Sequence, residues 1–317
     1  MNKIPVFATI ADAYRFAFAR FLGNLGVVWL PVVLIMLGAW YLIPLYATTL
    51  SAMVPAAAGK PDPALVFAAA QNLYRFAILS WIGIILLRAE MMLGLTRRAL
   101  GLATGQSFVF VSLGKPFWRM AGAYFAVMII LSAVEVVLII VFVIIALITG
   151  GTAALSLGGD KAALAPLAVA GAAIGVIAIL CAFFYIAVRL TFLLTPVIVA
   201  EERFDLIRPW RLAGGNFWRI FAIGIGIFLP LFVLIAAVSI PAYLGAMWPL
   251  PHLPHLSDDP QQAAHSVDAL FAWLIDRARA HWYMIVPVPL VSTALLYGVA
   301  AGAAASAYRG LVTEPAA

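Results

Sequence analysis

One acidic residue lies in the middle of a long apolar run and is the first candidate for chemistry. Glu135 stands in the sequence LSAVEVVLI, with Ser132 about one helical turn before it. An ionised carboxylate is costly in hydrocarbon, so this side chain should be protonated, paired or turned toward water. A proton- or cation-linked site would use it directly. We favour a neutral carboxyl hydrogen-bonded between helices, because transporters usually carry several polar groups at the membrane midplane.

A second set of candidates comes from a repeated motif. Phe-Trp-Arg occurs twice, a hundred residues apart, each time after a glycine and just before a long apolar run. Tryptophan favours the headgroup level of a bilayer, and arginine can extend its charge toward lipid phosphate. We therefore interpret Trp118, Arg119, Trp218 and Arg219 as lipid or interface anchors.

The segment that leads into the second motif, Pro196–Arg219, has an apolar side and a charged side at helical spacing. Pro209 disfavours helical conformation at Arg208, which predicts two short helices with a kink, lying in the interface plane. Trp210 and Arg211 join the candidate anchors. The segment either frames the helical bundle or provides a docking surface for anionic lipid or a cytosolic protein.

Other motifs with chemical potential are weak. No phosphate-binding loop, nucleophile elbow or zinc-protease motif occurs in a credible context, so we expect no catalytic residue and no cofactor. The lone Cys181 is expected to be a small buried hydrophobe. All histidines lie in or beside one proline-rich loop, which we expect to be exposed and polar and to hold no metal site. They are His252, His255, His265 and His281.

Composition indicates which elements must position these residues. The chain has 317 residues, of which 66% are hydrophobic and 10% are charged, against about 25% charged in soluble domains. Six apolar runs approach or exceed the roughly 20 residues needed to cross a bilayer as helix. The predicted fold is an all-α, polytopic transmembrane bundle with spans near residues 25–46, 73–95, 118–148, 164–190, 217–246 and 281–307.

The distribution of positive charge predicts the orientation. Most of the 19 lysines and arginines fall on the side that carries the N-terminus, so the positive-inside rule places both termini in the cytoplasm of a bacterial inner-membrane protein. The basic residues mark membrane edges and do not form a cluster for nucleic acid. The N-terminal residues lack the compact apolar core of a cleavable signal peptide.

The chain is interpreted as one membrane domain, 1–317, built from three hairpin-like repeats of about 1–95, 96–195 and 196–317. Each repeat begins with an amphipathic or turn-rich cytoplasmic segment. Residues 260–279 are predicted to form an amphipathic helix on the outer surface, and two prolines predict an irregular start to the sixth span. Small residues four apart predict close helix packing, or a dimer contact, at two pairs: Gly171 with Gly175, and Gly298 with Gly302.

Arg189 closes a predicted helix and is followed by TPVIVAEE and then by PWRLAGGNFWRI. This segment resembles the corresponding part of the bacterial glycerophosphoryl diester phosphodiesterase membrane-domain family. The resemblance implies a multi-helix membrane module. In some members this region is joined to a soluble phosphodiesterase domain, but no soluble stretch here is long enough for one. The resemblance therefore does not imply phosphodiesterase activity.

These observations favour a non-enzymatic integral membrane scaffold or lipid-interacting module. Its expected partners are membrane lipids and a membrane or cytosolic protein. The alternative is a transporter or channel-like protein with Glu135 near its pathway, and a membrane-embedded enzyme ranks third because no convergent catalytic set is visible.

Overall fold

The computed structural model describes residues 3–57, 63–103, 109–155, 161–248 and 260–312, and these residues form helices and short connections without a strand. The prediction of an all-α bundle is therefore confirmed. In chain order the helices are α1 (Val6–Ala19), α2 (Phe21–Ala57), α3 (Pro63–Ala99), α4 (Lys115–Leu155), α5 (Lys161–Thr191), α6 (Leu194–Glu201), α7 (Ile207–Ala213), α8 (Phe217–Met247), α9 (Pro260–Ala280), α10 (Trp282–Ile285) and α11 (Pro287–Val312).

Six stretches of helix are long and apolar enough to cross a membrane, which confirms a multi-pass membrane protein. They are Phe21–Ala47, Phe67–Ala99, Lys115–Val141, Ala173–Glu201, Phe217–Met247 and Trp282–Val312. The starts of α2, α4 and α8 and the ends of α3, α5 and α11 meet at one side, which we call the α1 side.

Several helices extend well beyond the predicted spans. The second helix continues to Ala57 and the fourth to Leu155, although the apolar runs suggested ends near residues 46 and 148. The added stretches contain alanine and leucine, which are good helix formers. Span prediction follows hydropathy and stops where polar residues appear, whereas the helix stops only where its backbone hydrogen bonds end.

The first helix packs lengthwise between α8 and α11. Its buried residues Thr9, Ala13 and Ala17 recur every four positions and so form a small-residue stripe on one face. A Cβ atom added at Gly302 would lie 3.1 Å from the Cα of Ala13, and one at Gly298 would lie 3.5 Å from the Cβ of Ala17. Close packing inside the bundle, predicted for this glycine pair, is thereby confirmed.

The other predicted glycine pair behaves differently. A Cβ added at Gly175 would meet no atom within 4 Å, and the surroundings of Gly171 lie outside the described residues. Cys181 is also exposed on α5, so its predicted burial was wrong. Both differences have one cause: only 6% of the most apolar window of the span Ala173–Glu201 is buried. The side chains of α5 from Ala173 onward mostly point away from the bundle.

The segment after α5 corrects another prediction. The sixth helix is buried among α3, α4 and α11 and does not lie in the interface plane. Two short helices do form, but the break lies at residues 202–206, where Glu202 has φ +49°, and Pro209 lies inside α7. Proline is tolerated there because the first-turn N–H groups of a helix have no intrahelical partner.

The predicted amphipathic helix at 260–279 is confirmed as α9, which packs along α2. The Arg279 guanidinium lies 5.4 Å from the ring centroid of Trp40. The predicted irregularity before the last span is also present, because α10 ends at Ile285 and α11 begins at Pro287. Proline suits the first position of a helix because its fixed φ is already helical.

Candidate functional site: a lateral cavity below an aromatic and arginine rim

Glu135 does not lie in the interior of the bundle. Its side chain is exposed on α4 and forms no hydrogen bond or ion pair with another described residue. It also does not line any of the three cavities reported below. The structure therefore does not support the favoured interpretation, in which the Glu135 carboxyl is hydrogen-bonded between helices.

The two Phe-Trp-Arg motifs have nearly the same local geometry. Trp118 and Trp218 lie in the first turns of α4 and α8 on the α1 side, with side chains 61% and 75% exposed. Each tryptophan ring meets the preceding phenylalanine edge to face, with ring centroids 5.0 Å apart in the first motif and 5.2 Å in the second. Both indole rings are thus free to meet the headgroup layer.

The arginines of the motifs bind the protein's own backbone instead. Arg119 donates a hydrogen bond from Nη1 to the carbonyl oxygen of Glu202, and Arg219 donates from Nη1 to the carbonyl oxygen of Ile4 at 2.8 Å. The amide nitrogen of Ile4 donates to Oδ1 of Asn216 at 3.2 Å. Asn216 and Arg219 therefore hold both main-chain polar groups of one fully buried residue near the N-terminus.

Trp210 is held by an arginine that precedes it in the chain. Arg189 donates from Nη2 to the carbonyl oxygen of Trp210 at 2.8 Å, and its guanidinium carbon lies 4.0 Å from the indole centroid. The ring centroid of Tyr185 lies 5.5 Å from the same guanidinium carbon. Arg189 therefore joins the end of α5 to α7. Arg211 is exposed and makes no side-chain hydrogen bond or ion pair with another described residue.

A small charged network fixes the connection between α6 and α7. Glu201 accepts from Arg203 at 2.5 Å, from Arg208 at 3.1 Å and from the hydroxyl of Tyr308 at 3.2 Å. One oxygen of Asp205 accepts the main-chain N–H groups of Arg208 and Ile207, each at 2.9 Å. These hydrogen bonds, with that from Arg208 the larger effect, lower the pKa of Asp205.

Below this rim lies a cavity of about 590 Å³, which we call the lateral cavity. Its walls are mostly aliphatic and aromatic side chains of α5 and α8, including exposed residues such as Phe184, Leu229 and Phe232. The α8 wall, Ile220–Phe232, covers about 18 Å of helix. Because exposed residues of two spans line it, the cavity opens sideways toward the bilayer.

Few polar groups face this cavity, and one carries a charge. Arg88 of α3, Tyr124 of α4, and Thr191 and Thr195 line it. The Arg88 guanidinium lies 5.3 Å from the Tyr124 ring centroid, and the Tyr124 hydroxyl lies 3.3 Å from that of Thr195. Arg88 is exposed to the cavity and pairs with no carboxylate of a described residue.

Arg88 was missed as a site residue because sequence alone suggests a side chain that snorkels from a helix end. The following acid faces elsewhere: Glu90 is buried and accepts the main-chain N–H of Ser112 at 2.5 Å. The sequence did contain a signal that Arg88 and Glu90 point in different directions, because residues two positions apart on a helix do not share a face. This spacing argues against an ion pair between Arg88 and Glu90, the acid nearest to it in the sequence.

The histidines and the nearby acids give no metal centre among the residues that the structure covers. His265 is exposed on α9, and Nδ1 of His281 lies 3.2 Å from the carbonyl oxygen of Arg277. His252 and His255 lie outside the described residues.

No family model, curated protein sequence or solved structure matches this chain. The resemblance to the glycerophosphoryl diester phosphodiesterase membrane-domain family stays a prediction.

Proposed function

We propose that this multi-pass membrane protein is a non-catalytic lipid-interacting module that holds an anionic amphiphile in the lateral cavity. The observation that carries the proposal is Arg88, a cation without a carboxylate partner in the described structure, in an otherwise apolar cavity within a membrane span. A charge in hydrocarbon is costly unless it meets water or an opposite charge. An amphiphile with an anionic group satisfies both the cation and the apolar walls.

The dimensions of the cavity fit this class of ligand. Its volume of about 590 Å³ lies within the 300–1,000 Å³ typical of small-molecule sites, which are mostly apolar with a few polar groups that set orientation. Tyr124 lies about 13 Å along α4 from its start at Lys115. The anionic group would meet Arg88 and Tyr124 at that level, and the hydrocarbon chain would lie along α8.

The exposed tryptophans support the same proposal, because they fix the level of the bundle in the bilayer. Trp118 and Trp218 lie on one side of the protein with their rings exposed. A lipid that enters the cavity from the adjacent leaflet would then reach Arg88 without crossing the bilayer midplane. The scaffold role and the protein partner expected from the sequence stay predictions.

The alternative of transport through the bundle would require a polar pathway. Glu135, the residue on which that alternative rested, is exposed on α4 and away from the lateral cavity. The same protein reconstituted in vesicles with a labelled anionic lipid tests it directly. Movement of the label between leaflets that depends on Glu135 would favour transport over simple binding.

The proposal is tested by native mass spectrometry of protein extracted in mild detergent and exposed to phosphatidylglycerol and phosphatidylethanolamine. We expect retention of phosphatidylglycerol over phosphatidylethanolamine. Arg88→Gln should abolish that preference, and Arg88→Lys should keep part of it. Arg75→Gln is the matched control, because Arg75 is an exposed arginine of the same helix that is not among the cavity-lining residues.

A second pair of variants tests the apolar part of the site. Gly224 lines the cavity, and a Cβ atom there would meet no atom within 4 Å, so Gly224→Leu should fill the cavity without disturbing the fold. Gly245→Leu places the same side chain in open space elsewhere on α8. Equal lipid retention by these two variants, together with unchanged selectivity in Arg88→Gln, would refute the proposal.

A further inference from the structure

An apolar groove of about 540 Å³ lies between α2 and the helices α9 and α10. The residues of α2 that line it run from Val33 to Ile43, which is about 18–33 Å along the helix from its start at Phe21 on the α1 side. We call it the α2–α9 groove. It shares no lining residue with the lateral cavity, nor with a polar pocket of about 650 Å³ between α1 and the ends of α3 and α11.

Exposed tryptophans place this groove at the headgroup layer opposite the α1 side. Trp248 directly follows α8 and Trp282 begins α10, with side chains 69% and 63% exposed. From Trp218 to Trp248 the chain covers about 45 Å of helix, which matches the roughly 40–45 Å of a bilayer with its headgroups. Because tryptophan favours both headgroup layers, Trp248 and Trp282 mark the second one. Trp282 also lines the groove, which therefore runs from this layer into the hydrocarbon.

The walls and the size of the groove indicate what kind of chain it can hold. Every described residue that lines it is aliphatic, aromatic or methionine. A helix at least 10 Å wide, laid along this 15 Å of α2, would need about 1,200 Å³ or more, over twice the space present. An extended peptide would bury main-chain N–H and C=O groups without partners. A hydrocarbon chain meets neither obstacle and supplies the dispersion contacts that an empty groove lacks.

One cation lies beside the groove at the level of the headgroups. The Arg279 guanidinium carbon lies 5.4 Å from the ring centroid of Trp40, which lines the groove, and Arg279 is exposed. It forms no ion pair with a carboxylate of a described residue, including Asp276 three positions earlier on α9. A phosphate group complements such a cation, because a guanidinium can donate two parallel N–H groups to two phosphate oxygens.

We propose that the α2–α9 groove holds one acyl chain of a phospholipid from the leaflet opposite the α1 side, with the lipid phosphate bound by Arg279. The second acyl chain stays in the bilayer. A single cation that binds the phosphate requires no net negative charge on the lipid, so a zwitterionic phospholipid is sufficient. In this respect the groove differs from the lateral cavity, whose proposed ligand is anionic.

The phosphate contact is tested by native mass spectrometry of the full-length protein with phosphatidylcholine and with diacylglycerol of the same acyl chains. These two lipids differ only in the phosphate-bearing headgroup. We expect preferential retention of phosphatidylcholine, and Arg279→Gln should reduce that preference about tenfold or more, the effect of losing one charge-assisted hydrogen bond. Arg277→Gln is the matched control, because the Arg277 guanidinium lies by the ring of Trp273, which does not line the groove.

The acyl-chain contact is tested by filling the groove. Ala278→Trp places a large side chain in it, whereas Ala272→Trp places the same side chain at an exposed position of α9 that does not line it. Phosphatidylcholine retention should be lost in the first variant and kept in the second. If Ala278→Trp does not fold, Ala39→Leu serves, because Ala39 is an exposed residue of the α2 wall.

Three results would overturn the proposal. The first is equal phosphatidylcholine retention by the groove-filling variant and Ala272→Trp. The second is a preference over diacylglycerol that Arg279→Gln and Arg277→Gln change equally. The third is a dimer mass in the unaltered protein that Ala278→Trp abolishes, since the groove would then be occupied by a second copy of the chain.

The proposal stands apart from the lipid-binding function of the lateral cavity. Each variant is also made in the Gly224→Leu background, in which the lateral cavity is filled, and the same losses are expected there because Gly224 does not line the groove. Conversely, Arg279→Gln should leave the preference for phosphatidylglycerol over phosphatidylethanolamine intact. Failure of one site is thus distinguishable from failure of the other.

Discussion

Replacing Arg219 with glutamine tests whether this arginine holds the N-terminal segment or serves as a lipid anchor. The guanidinium donates to the carbonyl oxygen of Ile4 at 2.8 Å, and hydrogen bonds from charged groups are worth about 1.5–3 kcal/mol. Since 1.36 kcal/mol is a factor of ten, local opening of residues 3–10 should become about tenfold to a hundredfold more frequent. The apolar burial of Ile4, worth about 1.5–3 kcal/mol, should still keep the segment docked for most of the time.

Hydrogen exchange of the peptide that covers residues 3–10, measured by mass spectrometry in nanodiscs, reports this opening. Arg211→Gln is the control, because it removes a positive charge from the same side without a described side-chain contact. Asn216→Ala should produce a similar acceleration through the other bond to Ile4. If exchange in Arg219→Gln equals that in Arg211→Gln, the hydrogen bond from Arg219 to Ile4 does not hold this segment, and the lipid-anchor interpretation is the better one.

Three further predictions concern stability. Gly302→Leu should lower the thermal midpoint by an overpacking cost of about 1–3 kcal/mol, whereas Gly83→Leu, with no atom within 4 Å of a Cβ, should not; equal midpoints would contradict the packing described. The folded-state pKa of Asp205 is lowered, so its stabilisation of α7 should be complete above pH ~4 and lost as pH falls through the folded pKa. Asp205→Asn should remove this dependence in hydrogen exchange of α7, and an unchanged pH profile would refute it. Tyr14→Phe removes a 3.0 Å bond to Ile227 and should cost about 1 kcal/mol in denaturant unfolding; an unaltered midpoint would argue against that bond.

The spans could be predicted because membrane insertion depends on a one-dimensional property. A run of apolar residues must cross about 30 Å of hydrocarbon as helix, so length and hydropathy fix its existence. The same reasoning accounts for α9, whose apolar residues recur at helical spacing. Helix ends were predicted less well because hydropathy does not report where the backbone stops being helical, as the extension of α2 to Ala57 illustrates.

The candidate site could not be predicted because hydropathy gives depth but not direction. Glu135 was expected to be buried between helices from its central place in an apolar run, yet it faces away from the bundle. Arg88 lies near the end of an apolar run, yet the cavity that it faces is also lined by residues of five other helices, α4, α5, α6, α8 and α11. Which face of a span meets the interior depends on its neighbours, and no single segment encodes that.

The backbone contacts of these arginines give a physical reason for the repeated motif. Arg20, Arg119 and Arg219 each stand near the start of an odd-numbered span, and each donates from Nη1 to a main-chain carbonyl in a distant segment. The acceptors, in the same order, belong to Arg98, Glu202 and Ile4. Arg20 thus joins the start of α2 to the end of α3, Arg119 joins α4 to the end of α6, and Arg219 joins α8 to the residues before α1.

These contacts give a reason why arginine, and not only an aromatic anchor, recurs at the start of these spans. Hydrophobic burial does not distinguish helix from lipid inside a bilayer, so specific polar contacts must set which helices are neighbours. A charged arginine can donate a hydrogen bond to a carbonyl left free at a helix end or turn, while its aliphatic stem stays in apolar surroundings. The tryptophan beside it then meets the lipid. On this argument the two residues of the motif have different roles: the arginine contacts a neighbouring segment of the protein, and the tryptophan faces the membrane.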